Sequence, residues 1–255
     1  MGLINQFHRL RIAQSTPFSV LDYLNASYNL SHWFASDEFN GATSDGDNIT
    51  SWTDKVTTSN ASKIGTNAIK LRILGGRNYA SFNESAKNNG AFEMTEATFS
   101  SMGFDDTSQM IFLKTANITN TSELSLYSKG KEDPFATAEH SLKIDSNSYT
   151  IRHQGASDSS RSHPLDDGDW IIVRTDGTNT KLYTYDISSS TLTQRSNYTN
   201  GTASDTDRLV IGGDIDEGGG MVNGAKIYVS DLLFFSDTMT TTEIEDVCDY
   251  IDDNT

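Results

Sequence analysis

The chain has 255 residues, with 19 Lys and Arg against 35 Asp and Glu, which gives a formal net charge of −16. This excess of acid argues against binding to nucleic acid or to an anionic membrane, since both would repel the protein. The single cysteine, Cys248, excludes an internal disulfide and a cysteine-rich zinc site. No apolar run of about 20 residues is present, so no membrane-spanning helix is expected.

The N-terminal segment differs from the rest of the chain. Residues 1–21 contain Arg9 and Arg11 and no acidic residue. The segment lacks a continuous apolar core and a small-residue cleavage site, so no signal peptide is expected. Its apolar side chains fit neither a helical stripe nor strand alternation. Two interpretations stay open: an arm that buries these side chains against a partner, and a strand with a short helix packed on the same domain.

The first interpretation defines the predicted organisation. Residues 1–30 are an arm for attachment and oligomerisation, and residues 31–255 are one β domain. The arm would attach through basic and apolar side chains, namely Leu3, Ile4, Phe7, Arg9, Leu10, Arg11, Ile12 and Phe18. Identical chains usually assemble with closed symmetry, so we expect a homo-oligomer, with a trimer as the specific prediction.

From Trp33 onward, short apolar segments recur between turn residues, the pattern of antiparallel strands. Asp176 and Gly177 provide a hairpin turn between two of these segments. Three strand pairs are predicted, namely 141–144 with 148–151, 170–174 with 181–185, and 209–213 with 225–235. The third pair would be joined by the connection 214–223.

The last element of the chain is predicted to be a helix. Thr240 and Glu243 have the spacing of a capping box. The apolar residues that follow form one helical stripe, namely Ile244, Val247, Cys248 and Ile251. Cys248 is therefore predicted to be a core thiol rather than a nucleophile.

These signals predict an all-β, antiparallel two-sheet sandwich with an N-terminal extension and one short C-terminal helix. The chain resembles the concanavalin A-like, laminin-G-like jelly rolls, especially those found in phage and bacterial proteins. The resemblance covers residues 31–251. It rests on three stretches: HWFASDEFNGATSDGDNITSWTDKVTTSN at 32–60, DDGDWIIVRTDGTNTKLYTYD at 166–186, and RLVIGGDIDEGGGMVNGAKIYVSDLLFFSDTMTTTEIEDVCDYI at 208–251.

The first of these stretches contains two tryptophans, Trp33 and Trp52, on either side of a run rich in Asp, Gly, Ser and Thr. In the family that the chain resembles, both indoles belong to the first strands, and the polar run is the turn between them. The resemblance therefore implies that Trp33 and Trp52 are core residues.

No catalytic residue is predicted. A glycosidase needs two carboxylates that flank one sugar bond. The jelly-roll glucanases carry them on one strand as E-x-D-x-x-E, and this run is missing from the sequence. The densest acidic strings fall in predicted loops and in the C-terminal helix. We therefore expect no enzymatic activity.

Calcium is the better-motivated chemistry, although no cofactor is required. Oxygen ligands that alternate in a glycine-rich loop can surround Ca²⁺. Two loops have this character, and their candidate ligands are Asp45, Asp47, Asp214 and Asp216. The alternative is that these Asp and Gly residues only form turns.

Sugar binding would need an exposed aromatic side chain beside Asp or Asn in a loop. The candidates are Tyr79, Phe135 and Tyr198. The alternative is that these residues only form strands, because aromatic residues are ordinary strand formers.

The predicted function is a non-enzymatic structural protein of a bacteriophage virion, a capsid decoration or fibre-type protein that displays a lectin-like jelly roll. It would be made in the host cytoplasm, be located at the virion surface and contact capsid or tail proteins. Two alternatives remain open. One is a carbohydrate-binding adhesin with a host glycan as partner, and the other is a polysaccharide hydrolase.

Overall fold

The computed structural model describes residues 19–84, 90–95, 109–117, 124–129, 140–144, 148–153, 156–162, 168–176, 178–199, 208–215, 221–222, 224 and 226–255. Its helices are α1 (Val20–Tyr28) and α2 (Thr241–Asn254). Its strands are β1 (Leu30–Asn40), β2 (Asn48–Ile49), β3 (Ser51–Asp54), β4 (Asn60–Ile64), β5 (Ile69–Leu74), β6 (Arg77–Phe82), β7 (Ala91–Thr95), β8 (Gln109–Ala116), β9 (Leu124–Lys129), β10 (His140–Ile144), β11 (Ser148–His153), β12 (Ala156–Ser162), β13 (Trp170–Thr175), β14 (Asn179–Asp186), β15 (Thr191–Thr199), β16 (Arg208–Ile211), β17 (Asp214–Ile215), β18 (Met221–Val222) and β19 (Ile227–Phe235).

The strands form two antiparallel layers that are joined through β1. In the first layer, β19 pairs with β8 on one side and with β1 and β6 on the other. This layer continues from β8 to β13, β14 and β15, and from β6 to β5 and β2. The second layer runs from β3 through β4, β7, β16, β9, β10 and β11 to β12. β1 belongs to both layers, because its register shifts between Phe34 and Phe39 as it passes from β19 to β3.

The main core lies between the two layers. In β5, Ile69 and Leu71 are buried in this core, whereas Lys70 and Arg72 are half-buried on the opposite face. This alternation is the expected pattern of a strand with one face on the core. Aromatic side chains from both layers fill the centre, among them Phe34, Trp52, Phe82, Phe92 and Phe234. The predicted all-β sandwich is confirmed.

A second core lies on the outer face of the first layer, beneath the two helices. Because β19 separates the two cores, it is buried on both faces. Leu232 and Phe234 face the main core, whereas Leu233 and Phe235 pack under the helices. Trp33 and Met110 belong to the same second core.

The C-terminal helix confirms its prediction. Thr240 and Glu243 make both hydrogen bonds of the capping box. The stripe of Ile244, Val247, Cys248 and Ile251 is buried, and Cys248 is a core thiol as predicted. Burial raises the pKa of this thiol well above its ordinary value. Among the described residues, neither helix is long and apolar enough to cross a membrane.

The first helix contains the described part of the predicted arm, and it packs on the domain. Ser19 caps the helix by accepting a hydrogen bond from the Asp22 amide at 3.1 Å. Leu24 is fully buried, and the Tyr23 ring lies 4.2 Å from the Tyr250 ring of α2. The predicted attachment side chains, Leu3 to Phe18, all lie outside the described residues. Attachment and oligomerisation through them therefore stay predictions.

A buried ionic network holds the end of α2 on the first layer. Asp252 accepts hydrogen bonds from Trp170 Nε1 at 2.9 Å, from Arg77 Nη2 at 3.1 Å and from Lys114 Nζ. Arg77 Nη1 donates to Asp231 on β19 at 2.8 Å. Each charge in this network has a partner of the opposite sign, which is the condition for burying charges at tolerable cost.

Two of the three predicted strand pairs are confirmed, and the third is wrong. Leu142 pairs with Ile151 in β10 and β11, and Val173 pairs with Leu182 in β13 and β14. β16 and β19 do not pair with each other. β16 pairs with β7 and β9 in the second layer, whereas β19 lies in the first layer. The connection between them crosses from one layer to the other, and alternation within each strand cannot show this.

We expect Gly212→Ala to destabilise the protein by about 3 kcal/mol or more, measured as a shift in the urea unfolding midpoint. Gly212 has a φ of +88°, and an added Cβ would lie 2.6 Å from Cε1 of Phe82. The Phe82 ring is buried in the main core, so it has little room to move.

Gly76→Ala is the matched control for this substitution. Gly76 has nearly the same φ, +87°, but an added Cβ would have no neighbour within 4 Å. It should cost only the backbone strain, about 1–2 kcal/mol. Equal losses for the two variants would show that the ring yields and that packing against Phe82 contributes nothing.

Candidate functional site

A cavity of about 530 Å³ lies where both helices meet β1 and β3. We call it the first cavity. Its wall comes from the start of α1, the middle of β1, the end of β3 with its following turn, and the end of α2. These residues are Ser19, Val20, Leu21, Trp33, Ser36, Asp37, Glu38, Thr53, Asp54, Lys55, Thr58, Asn254 and Thr255.

The carboxylate of Asp54, at the end of β3, fixes this wall. Its Oδ1 accepts hydrogen bonds from the backbone amides of Trp33 at 2.8 Å and Val56 at 3.0 Å. Its Oδ2 accepts from Thr57 Oγ1 and from His32 Nδ1, both at 2.5 Å. Burial alone would raise the pKa of Asp54, but the hydrogen bonds from His32 and Thr57 outweigh it, so the pKa is lowered. Asp54 is thus a buried, ionised carboxylate with four donors.

Lys55 contacts both the buried Trp33 and the exposed Asp37 of the first cavity. Its backbone amide donates to the carbonyl of Trp33 at 2.9 Å. Its Nζ lies 4.6 Å from the centre of the Trp33 ring and donates to Asp37 at 2.7 Å. Because Asp37 is 65% exposed, this ion pair lies at the mouth of the cavity.

Both tryptophans of the stretch 32–60 are core residues, as predicted. Trp33 is 1% exposed and Trp52 is fully buried. Trp52 Nε1 donates to the backbone carbonyl of Ala35 at 2.7 Å. Trp33 Nε1 donates to Asp231 at 3.1 Å. Neither indole therefore has an open face on which a sugar could stack.

The rim of the first cavity offers both hydrogen-bond donors and acceptors. Asp37 and Glu38 are partly or fully exposed acceptors. Ser36 adds a hydroxyl, which can donate and accept, and the exposed Asn254 adds an amide. This mixture suits a ligand whose own groups donate and accept on several sides.

Sequence reasoning missed the contribution of the helices to this cavity. Ser19, Val20 and Leu21 were assigned to the arm, and Asn254 lies at the chain end. A signal was present for α1, because Ser19 and Asp22 have the spacing of an N-terminal cap. The sequence carried no signal that the two helices would converge on β1.

The predicted sugar-binding aromatics are not brought together. Tyr79 is only 5% exposed, because β6 is paired with β5 on one side and with β19 on the other. The prediction of an exposed loop aromatic is therefore wrong for Tyr79. Tyr198 lies in β15, and its side chain is outside the described part of the structure. Phe135 lies outside the described residues altogether.

The predicted calcium ligands of the first loop serve as turn residues. Asp45 Oδ1 accepts from the Ile73 amide at 3.0 Å. Asp47 Oδ2 accepts from the amides of Thr43 at 3.0 Å and Ser44 at 2.8 Å, and these bonds lower the pKa of Asp47. These hydrogen bonds to backbone amides are those expected if Asp45 and Asp47 only form turns.

The second loop gives no test of the calcium prediction. Asp214 begins β17, and its side chain is not among those described. Asp216 lies outside the described residues. Within the described part of the chain, no three His, Cys, Asp or Glu side chains lie close enough to hold a metal ion. Calcium binding stays a prediction.

Comparison of the sequence with known proteins finds no relative. No protein-family model matches the chain, and no curated protein matches it in sequence.

Comparison of the structure with solved structures finds a shared fold. A mutant of Trypanosoma rangeli sialidase displaying trans-sialidase activity is 13% identical, with a TM-score of 0.55, over 93% of this chain and 35% of that chain. An arabinofuranosidase complexed with arabinofuranosyl-α-1,2-xylobiose is 11% identical, with a TM-score of 0.63, over 81% of this chain and 51% of that chain. The Ruminococcus gnavus IT-sialidase CBM40 bound to α2,3 sialyllactose is 12% identical, with a TM-score of 0.50, over 67% of this chain and 97% of that chain.

These likenesses establish a sandwich fold and no more, since identities near 12% do not carry function. The chain spans 35% of the sialidase and 51% of the arabinofuranosidase. The resemblance to concanavalin A-like sandwiches is supported at the level of fold. None of these three structures links the chain to a phage particle.

Two functional expectations are wrong. The predicted phage structural role is contradicted, because the similar structures named above are a sialidase, an arabinofuranosidase and a CBM40. The exclusion of enzymatic activity also fails, because glycoside hydrolases are among the proteins with similar structures. Of the predicted partners, a glycan agrees with the ligands of these proteins. The homo-oligomer and the location stay predictions.

We expect Asp54→Asn to destabilise the protein by about 3 kcal/mol at pH 6, since it removes a buried charge that four donors surround. The folded-state pKa of Asp54 is lowered. Its contribution is therefore fully present above the unfolded pKa of about 4 and is lost as the pH falls through the folded value. The difference between wild type and variant should shrink across that range, as measured by urea unfolding at several pH values.

Asp37→Asn is the control, because it removes the carboxylate of an exposed ion pair in the same wall. It should cost less than about 1 kcal/mol. A difference between wild type and Asp54→Asn that stays constant from pH 6 to about 2 would show that the pKa of Asp54 is the same in the folded and unfolded states, which would contradict the prediction.

Proposed function

We propose that the chain is a carbohydrate-binding sandwich domain and that its glycan sits in the first cavity. The observation that carries this proposal is a cavity of about 530 Å³ with a polar rim, on a fold shared with two sugar-bound proteins. Ligand cavities of proteins are typically about 300–1,000 Å³, so this one has room for one or two sugar units.

The chemistry of the rim fits sugar hydroxyls. Each hydroxyl both donates and accepts, and the Ser36 hydroxyl, the Asn254 amide and the Glu38 carboxylate offer complementary groups. Val20 and Leu21 add half-buried apolar surface on one wall, against which the C–H face of a sugar ring can pack. The ligand is thus held by hydrogen bonds at its edge and by apolar contact on its face.

The charge of the cavity favours a neutral sugar. Asp37 and Glu38 stand at the rim against the single cation Lys55, and the chain as a whole carries −16. An acidic sugar would meet repulsion at this site, whereas a neutral one would not. We therefore assign the first cavity to a neutral glycan.

Binding should depend on Asn254. A glycan array and calorimetry on the best neutral ligand should show about 5-fold or more weaker binding for Asn254→Ala, because one good hydrogen bond is worth about 1 kcal/mol or more. Asn25→Ala is the matched control, since Asn25 is an exposed asparagine on α1 that does not line the cavity. No binding to any array glycan, or equal losses for both variants, would contradict the assignment.

Hydrolysis at the same cavity is a second candidate function. Glycosidases use two carboxylates, and Asp37 and Glu38 both line this cavity from β1. The occurrence of this fold in sialidases and arabinofuranosidases adds to the case. They are consecutive residues of β1, a spacing that a search for E-x-D-x-x-E does not find.

If the cavity is catalytic, Glu38→Gln should reduce release of reducing sugar from the bound glycan by about 100-fold or more, with binding largely kept. Glu245→Gln, on α2 away from the cavity, is the control. If the wild type binds the glycan without releasing sugar, hydrolysis is rejected and binding stands.

A further inference from the structure

One arginine outside the first cavity makes hydrogen bonds toward two parts of its wall. Trp33 lines the cavity from β1, and Asn254 and Thr255 line it from the end of α2. Arg77, the first residue of β6, does not line the cavity, and its side chain is 12% exposed. Its guanidinium contacts Thr255 directly and reaches Trp33 through one carboxylate.

The connection to Trp33 runs through Asp231 on β19. Arg77 Nη1 donates to Asp231 Oδ2 at 2.8 Å, and Trp33 Nε1 donates to Asp231 Oδ1 at 3.1 Å. The Asp231 side chain is fully buried, so its negative charge needs the cation of Arg77. Because each carboxylate oxygen is held by one donor, the orientation of the Trp33 indole is linked to that of the guanidinium.

The connection to α2 holds the last turn of this helix. Helix ends commonly fray, since their last carbonyls lack partners within the helix. Here Arg77 Nη2 donates to Thr255 Oγ1 at 2.5 Å, and this hydroxyl donates in turn to the carbonyl of Ile251 at 2.7 Å. Nη2 also donates to Asp252 at 3.1 Å. The last turn of α2 contains no basic residue, so Arg77 also supplies a positive charge at the helix end that favours one.

The position of Asn254 depends on the same turn. Its Nδ2 donates to the carbonyl of Tyr250 at 2.8 Å, which ties the side chain to the helix. The Oδ1 atom and the second N–H of this amide are left for a ligand. Their place in the cavity is therefore set by how the last turn of α2 is held, and Arg77 holds it.

We propose that Arg77 is a positioning residue of the first cavity, which fixes Trp33 and Asn254 relative to each other. A lysine cannot replace it, because a single ammonium lacks the planar fork whose two branches reach Asp231 and Thr255. The effect on glycan binding rests on the proposed function, whereas the effect on the cavity wall does not.

The test compares Arg77→Lys with the matched control Arg208→Lys by NMR on the full chain. Arg208 also makes a partly buried ion pair, to Glu93 at 2.7 Å, and does not line the first cavity. Arg77→Lys should move the signals of the Trp33 indole N–H and of the Asn254 side-chain amide. Arg208→Lys should leave both in place.

The same variants are then titrated with the methyl glycosides of glucose, galactose, xylose and arabinose. For the glycoside that wild type binds most tightly, Arg77→Lys should bind about 5-fold or more weakly, because the hydrogen bond to Asn254 is misplaced. Arg208→Lys should bind it as wild type does.

Thr255→Val is a second variant that decides the matter even if Arg77→Lys does not fold. Valine has nearly the shape of threonine and removes the hydroxyl that accepts from Arg77 Nη2. It should move the side-chain signals of Asn254 and leave the Trp33 indole signal in place, since the connection through Asp231 is intact.

Three results would overturn the inference. The first is Thr255→Val with unmoved Asn254 signals. The second is Arg77→Lys that binds the glycoside as tightly as wild type, which would leave Arg77 a role in stability alone. The third is weaker binding by Arg77→Lys with the Trp33 and Asn254 signals unmoved. If no glycoside binds wild type while the signals move as expected, the proposed function fails and the positioning of the wall by Arg77 stands.

Discussion

The buried carboxylate of Asp54 is the interaction on which the first cavity depends. An ionised carboxylate without partners inside a protein would cost several kcal/mol. Here two backbone amides, a hydroxyl and an imidazole surround it. These four donors come from both sides of the join between β1 and the turn after β3. Because the hydrogen bonds to Asp54 come from both β1 and this turn, they fix the position of one relative to the other. They thereby also fix the positions of Trp33 and Lys55.

The placement of the first cavity follows from the way in which the helices cover the first layer. The strand β19 is buried on both faces, so its outer face needs a cover of its own. The two helices cover the part around Leu233 and Phe235. Where α2 ends, Asp252 makes the ionic network with Arg77 and Lys114. The first cavity lies at the edge of this helical cover, where residues of both helices line it.

The elements that could be predicted from the sequence are those that local interactions specify. The capping box of Thr240 and Glu243 and the hairpin of β13 and β14 each need only neighbouring residues. The failures are nonlocal. The pairing of β16 and β19 was wrong because their partners lie elsewhere in the chain, and alternation does not identify partners. Tyr79 was taken for an exposed aromatic, yet its strand is paired on both sides.

The candidate site likewise combines residues that the sequence points to with residues that it does not. The first stretch of the resemblance contains Trp33, Trp52, Asp54 and Lys55. In the structure, Trp52 is buried in the main core, whereas the other three line the first cavity.

The residues that can meet a ligand are of another kind. Glu38 lies inside the first stretch of the resemblance without being singled out there, and Asn254 lies outside all three stretches. A motif search finds what a fold needs at fixed spacing. A ligand site instead needs groups that converge in space, and the wall of the first cavity comes from segments more than 150 residues apart, such as Glu38 and Asn254. That is why the missing glycosidase spacing could not exclude catalysis: spacing along one strand is only one of the ways in which two carboxylates can reach one sugar.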